Sequence, residues 1–253
     1  MPPCCAAGST WPAVSRDEIS GAQACTGSMP RRRLGNDSPI FRLLAITCRS
    51  PSSTTPCTPS AVLGRADSCP SRRTGGASAA AVVDGRIVVV GGFGPGMVLS
   101  DSTLIYDSGA DRWTRAAGAP TPRDHLAAVP LGDEVVAVGG RPIHANRNFD
   151  RLESFEPATG RWSTREPMPT PRGGLAVVEL DGRIHAFGGE DASRAFDEHE
   201  VFDSRSRTWT EAQPLPTPRH GVAAAVLGGR IYVIGGGPRA GAAQTAVVEI
   251  FTP

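Results

Sequence analysis

Three unrelated sets of markers recur along this chain in a single register of 47 to 49 residues, and that period constrains its fold more than anything else in it. Paired glycines stand at Gly91-Gly92, Gly139-Gly140, Gly188-Gly189 and Gly235-Gly236. Tryptophans stand at Trp113, Trp162 and Trp209, and a Pro-Thr-Pro-Arg string ends at Arg123, Arg172 and Arg219. A period of this length belongs to repeat architectures, in which each unit buries its apolar face against the next.

Within each unit, short apolar runs are split by a tight-turn pair: Asp84-Gly85, Gly132-Asp133, Asp181-Gly182 and Gly228-Gly229. Such pairs tolerate the positive φ that two-residue hairpins need, so each run of this kind is expected to be a β-hairpin. A third strand follows a polar loop and carries an aromatic at Tyr106, Phe155, Phe202 or Phe251, and a fourth carries the tryptophan. Four antiparallel strands per unit make a propeller blade.

On these residues, the stretch 61–253 resembles the kelch-repeat family of β-propellers. The resemblance implies an all-β, kelch-type β-propeller of about four four-stranded blades, either a ring in itself or a fragment of a larger one. The blades are expected near 77–118, 125–168, 173–214 and 221–253. The resemblance also implies that the double glycine ends the second strand and that the aromatic and the Trp pack between blades. Function is another matter, because such folds host many activities.

The last unit shows three strands and then no tryptophan strand. Residues 63–73 align with the segment from Trp113 to Arg123, with Leu63 in the place of Trp113, so the segment 61–73 is expected to complete the last blade from the N-terminal side. Residues 1–60 lack apolar periodicity and hold Cys4, Cys5, Cys25, Cys48 and Cys57, with no CxxC pair; they are expected to be a disordered or aberrant tail. Back-translated with GC-rich codons and read two bases later, residues 46–61 approximate another repeat, which makes an altered start or frame one origin for that tail.

Charged residues are only 20% and the net charge is +1, which argues against nucleic-acid or membrane-surface binding through a basic field. No apolar run is long enough to span a bilayer and no leader-like segment opens the chain, so a cytoplasmic location is expected. The five histidines show no ligand spacing, and no metal or cofactor is expected. A copper radical oxidase, the other kelch-like chemistry, needs a tyrosine linked to a cysteine, and no Cys follows Cys69.

By the resemblance, the loops after the second strand and those leading into the next blade share one face around the axis. That face would carry Arg123, Arg172 and Arg219, with His125 and His220 beside them and Arg141 and Asn146 in a longer loop. Guanidiniums offer fixed donors to carboxylate or phosphate, so these seven residues are the candidate binding site. Glu153, Glu200 and Glu249 recur on the third strands, and an inter-blade Arg-Glu pair would explain the arginines without a ligand. Blade one has Leu104 where the glutamates fall. The functional expectation is a non-catalytic scaffold for a protein or acidic peptide, with a homodimer if the ring is incomplete. The alternative is an enzyme like the kelch-type sialic acid mutarotases, acting on a sugar acid, which would need a deep axial pocket with an unpaired Glu or His beside the arginines.

Overall fold

The structure, a computed structural model, describes residues 76–253. The expectations for the tail 1–60 and for the closing segment 61–73 therefore lie outside the described residues. Within them the chain is all-β, built as four consecutive blades of a β-propeller. Blade 1 holds β1 (Ala79–Val83), β2 (Arg86–Val90), β3 (Thr103–Asp107) and β4 (Arg112–Arg115). Blade 2 holds β5 (Ala127–Leu131), β6 (Glu134–Val138), β7 (Leu152–Glu156) and β8 (Arg161–Thr164). Blade 3 holds β9 (Ala176–Leu180), β10 (Arg183–Phe187), β11 (His199–Asp203) and β12 (Thr208–Glu211). Blade 4 has three strands, β13 (Ala223–Leu227), β14 (Arg230–Ile234) and β15 (Val248–Phe251). Each sheet is a simple antiparallel meander in chain order.

The register follows from the turns. In the hairpins of blades 1, 3 and 4 both central residues have positive φ, as at Asp181 (54°) and Gly182 (78°), the backbone that a type I′ turn requires. This pins Arg183 opposite Leu180 and puts every second side chain of β9 and β10 on one face. The two faces of an inner blade are both apolar because each meets a neighbour. Val135, Ala137 and Phe155 of blade 2 pack with Val88 and Val90 of blade 1. Val136, Val138 and Leu152, on the other side, pack with Ile184, Ala186 and Phe202 of blade 3. Phe187 and Val178 of blade 3 pack with Ile231, Val233 and Phe251 of blade 4. Among the described residues there are thus three blade junctions, and no corresponding apolar cluster joins blade 4 to blade 1.

The tryptophans are half-buried rather than enclosed. Trp162 and Trp209 each lie across a junction: the indole N–H of Trp162 donates to the carbonyl of Ala117 at 3.0 Å, and that of Trp209 to Glu166 at 2.9 Å, so the ring covers the cluster and its polar edge ties back to the preceding blade.

The double glycines have a steric cause. Gly188 and Gly189 both have positive φ, 59° and 108°. A Cβ on Gly188 would lie 2.2 Å from the carbonyl oxygen of Arg219, and the Gly189 N–H donates to that same carbonyl at 2.8 Å. The chain entering blade 4 passes so close to the end of β10 that only glycine leaves room. Gly91-Gly92 and Gly139-Gly140 meet Arg123 and Arg172 in the same way.

Candidate functional site at the axial mouth

The Pro-Thr-Pro-Arg string carries the chain from one blade into the next, and its arginine grips both. The carbonyl of Arg123 accepts from Gly92 of blade 1, while its guanidinium reaches into blade 2. There Nη1 meets Glu153 Oε2 at 2.5 Å and the Thr121 carbonyl at 2.9 Å, and Nε donates to the Gly139 carbonyl at 2.7 Å. Arg172 pairs with Glu200 at 3.0 Å and Arg219 with Glu249 at 2.5 Å. Thr121 and Thr170 hydroxyls donate to the second oxygens of Glu153 and Glu200, both at 2.6 Å. All three arginines are fully buried. Burial lowers the pKa of Arg123 and Arg172 from the ordinary arginine value, opposed by Glu153 and Glu200. Their donors are turned inward to carboxylates and carbonyls of the protein, the arrangement that the repeated glutamates foreshadow, although each ion pair lies within one blade rather than between two.

Two residues further on, the chain turns left-handed beside the axis. Ala77, His125, Gly174 and Gly221 all have positive φ, and their backbones link blade to blade: His125 N–H donates to Ala77, Gly174 to His125 and Gly221 to Gly174, at 2.9, 2.8 and 2.7 Å. Three links join four blades. Histidine tolerates this backbone better than a β-branched residue would.

The remaining predicted residues converge on a charged cluster above these links. Arg141 and Glu190 hold equivalent places after the double glycines of blades 2 and 3, so the repeat brings them together at 2.9 Å. Arg141 Nη2 is 3.1 Å from His125 Nε2, and His125 Nδ1 is 2.5 Å from the buried carboxylate of Asp124. Asp124 also accepts from the Ile143 N–H at 2.8 Å. With Arg141 able only to donate, His125 accepts at Nε2 and donates from Nδ1, which defines its tautomer. The other oxygen of Glu190 accepts from the Gly241 N–H at 2.9 Å and faces His220 Nδ1 at 3.5 Å, while His220 Nε2 lies 3.0 Å from the Arg239 carbonyl. The structure thus brings His125, Arg141 and His220 into one network, joined by Asp124 and Glu190, which sequence reasoning missed. Asn146 stands apart, exposed on the rim. Equivalence of position was the signal that could have found Glu190. Among the described residues no group of three or more His, Cys, Asp or Glu is placed to hold a metal.

Beside the cluster lies an open groove of about 440 Å³ between the loops of blades 2 and 3, walled by Asn146, Arg147, Pro171, Asp191 and Ser193. Arg147 is exposed there, and the groove is lined by neither histidine nor glutamate.

His185 is buried at the junction of blades 3 and 4. Its Nδ1 is 3.0 Å from Nε2 of His199, whose Nδ1 is 3.1 Å from the Gln213 carbonyl. Phe187 stacks on His199 at 4.1 Å and Phe251 meets it edge-on at 4.7 Å. Burial and the nearby Arg183 push His185 down to about 4. Burial, His185 and Arg172 push His199 down to about 3, against the pull of the Gln213 carbonyl. At neutral pH both are uncharged members of an apolar junction.

Comparison with known proteins agrees with this geometry. Residues 60–237 match the KLHDC2/KLHL20/DRC7 Kelch-repeats domain. The chain belongs to the kelch-repeat family. It is also similar to beta-scruin of Limulus polyphemus, 34% identical over 86 residues, a match that covers 32% of this chain and 9% of that protein. Among the described residues no helix is long and apolar enough to cross a membrane.

Proposed function

We propose that this chain is a non-catalytic kelch-repeat scaffold whose loop face takes a protein or acidic peptide partner. The observation that carries the reading is the contrast at the mouth: the histidines and Glu190 are engaged with one another and with Arg141, whereas the groove beside them is open and presents Asn146 and the exposed Arg147. Arg123, Arg172 and Arg219 hold the loops from below, and Arg141, His125 and His220 form the hydrogen-bonded cluster beside the groove. Membership of a family rich in protein-interaction scaffolds supports the same reading, and a cytoplasmic location is part of the proposal. The sugar-acid enzyme needs an acid or base free beside exposed arginines, a combination no observation favours.

The test is fluorescence anisotropy with a labelled oligo-glutamate peptide, with oligo-lysine as control. Binding at low ionic strength that weakens as salt rises, and that is lost in Arg147→Glu, is the expected outcome. No binding of the acidic peptide at low salt removes the reading, and catalysed mutarotation of N-acetylneuraminic acid, followed by NMR, replaces it with the enzyme.

A further inference from the structure

The two walls of the groove belong to different blades. One is the loop 141–149 of blade 2, which brings Asn146, Arg147 and Asn148; the other is the turn 191–193 of blade 3. The blade 2 loop needs outside support. Ile143 stands at φ 67°, a left-handed backbone that a β-branched side chain resists. Two acidic residues supply the support. The Asp124 carboxylate accepts from the Ile143 N–H at 2.8 Å. Glu190 accepts twice, from Arg141 Nη1 at its carboxylate (2.9 Å) and from Asn148 Nδ2 at its backbone carbonyl (2.6 Å).

Glu190 also faces the other way. Its second carboxylate oxygen accepts at 2.9 Å from the Gly241 N–H, in the 237–245 loop of blade 4, and lies 3.5 Å from His220 Nδ1. The side chain is only 7% exposed and does not line the groove, yet the residue immediately precedes Asp191, where the second wall begins. One residue of blade 3 thus ties the loops of blades 2 and 4 to the start of its own wall. A carboxylate suits this place, because Arg141 and Gly241 approach its two oxygens as donors; a glutamine would turn a donor of its own toward one of them.

We propose that Glu190 is a positioning residue of the groove: by holding Arg141 and Asn148 on one side and the blade 4 loop on the other, it fixes the separation of the two walls. Peptide affinity then depends on a residue that the peptide does not touch. The inference rests on the reading of the groove as the site of an acidic peptide. It carries a sign that charge alone would reverse. Glu190 is a negative group beside a site for an anionic ligand, so a residue acting only through its field would, on removal, let the peptide bind more tightly. Removal of a positioning residue weakens binding, because the ligand must then order the walls itself.

Two variants separate charge from reach: Glu190→Gln removes the charge and one acceptor, and Glu190→Asp keeps the charge but falls short of Arg141 and Gly241. Both are expected to weaken oligo-glutamate binding in fluorescence anisotropy by about tenfold, with a cooperative thermal melt retained. Hydrogen exchange read by mass spectrometry is expected to quicken on the order of tenfold in 141–149 and in 237–245, and to stay unchanged in β6 and β10. Tighter binding by Glu190→Gln together with unaltered binding by Glu190→Asp overturns the proposal. Exchange that quickens in the blade 4 loop alone overturns it too, as does exchange that quickens through the strands, the mark of a residue serving general stability. A wild-type chain that ignores the peptide, while Glu190→Gln still loosens both loops, removes the peptide reading and leaves Glu190 as the residue that positions the walls.

Discussion

Strands β9 and β13 are the same element twice, and their fates differ. Both are five-residue inner strands paired to a hairpin partner in the same register, yet Ala176 and Val178 are buried while Ala223 and Ala225 are exposed. The difference is the neighbour: β9 has blade 4 beside it and β13 has no described blade. In a repeat protein, burial is thus a property of the junction rather than of the unit, and stability is expected to concentrate where two units meet.

Disturbing an inner junction sharpens that contrast most. Arg172→Ala leaves the buried Glu200 without its cation and is expected to cost about 3–5 kcal/mol, read from denaturant unfolding. Arg172→Leu combined with Glu200→Leu is expected to recover much of that loss, because no charge is then stranded. Phe155→Ala, in the closed first junction, is expected to cost about 3–4 kcal/mol. The matching Tyr106→Ala in blade 1 is expected to cost about 1 kcal/mol, since the ring is half-buried rather than enclosed; equal losses would break the comparison.

The junctions also differ among themselves in acid. His185 and His199 occupy the places that Val136 and Leu152 hold in blade 2. Their pKa values are depressed in the folded chain, so the unfolded chain takes up protons first. Stability from this pair is fully present above about pH 6.5 and falls as pH drops toward about 4, by an amount on the order of 3 kcal/mol for His185. Replacing both, His185→Val with His199→Leu, is expected to flatten urea midpoints between pH 7 and pH 4. A slope that survives the double substitution would place the acid sensitivity elsewhere.

Smaller effects belong to single backbone sites. Gly188→Ala forces a Cβ against the Arg219 carbonyl at positive φ and is expected to lower stability by about 1–3 kcal/mol, whereas Gly85→Ala, with open space around its Cβ, carries only the backbone cost of about 1 kcal/mol. Leu227→Ser, at a position 69% exposed, is expected to change stability by no more than about 0.5 kcal/mol. A large loss there would mean that blade 4 is covered within the chain.

Much of this molecule was legible beforehand because its determinants are local and repeated. Turn pairs set the hairpins, two-residue alternation set the faces, and the recurrence of Gly-Gly, Trp and Pro-Thr-Pro-Arg set the blade order and the family. The candidate site was less legible. Arg141, His125 and His220 were singled out from the sequence and lie in one network, but Glu190 and Asp124 were missed because no spacing along the chain announces a contact across 49 residues of sequence, such as that of Arg141 with Glu190. Whether a guanidinium faces a ligand or a carboxylate depends on which side of the chain is enclosed; Arg123, Arg172 and Arg219 fit either pattern until the blades are stacked.

Periodic sequence alone therefore determined the unit: its strands, its turns, the glycines that permit close passage and the order in which blades follow one another. Only the tertiary structure decided which faces are covered, which arginines are consumed by glutamates, and that two histidines of blade 3 share a hydrogen bond inside an apolar junction. The physical reason is range. Hairpin register and backbone conformation are settled by residues within a few positions of each other, whereas burial, ion pairing and the protonation of His185 and His199 depend on desolvation by groups that arrive from another blade.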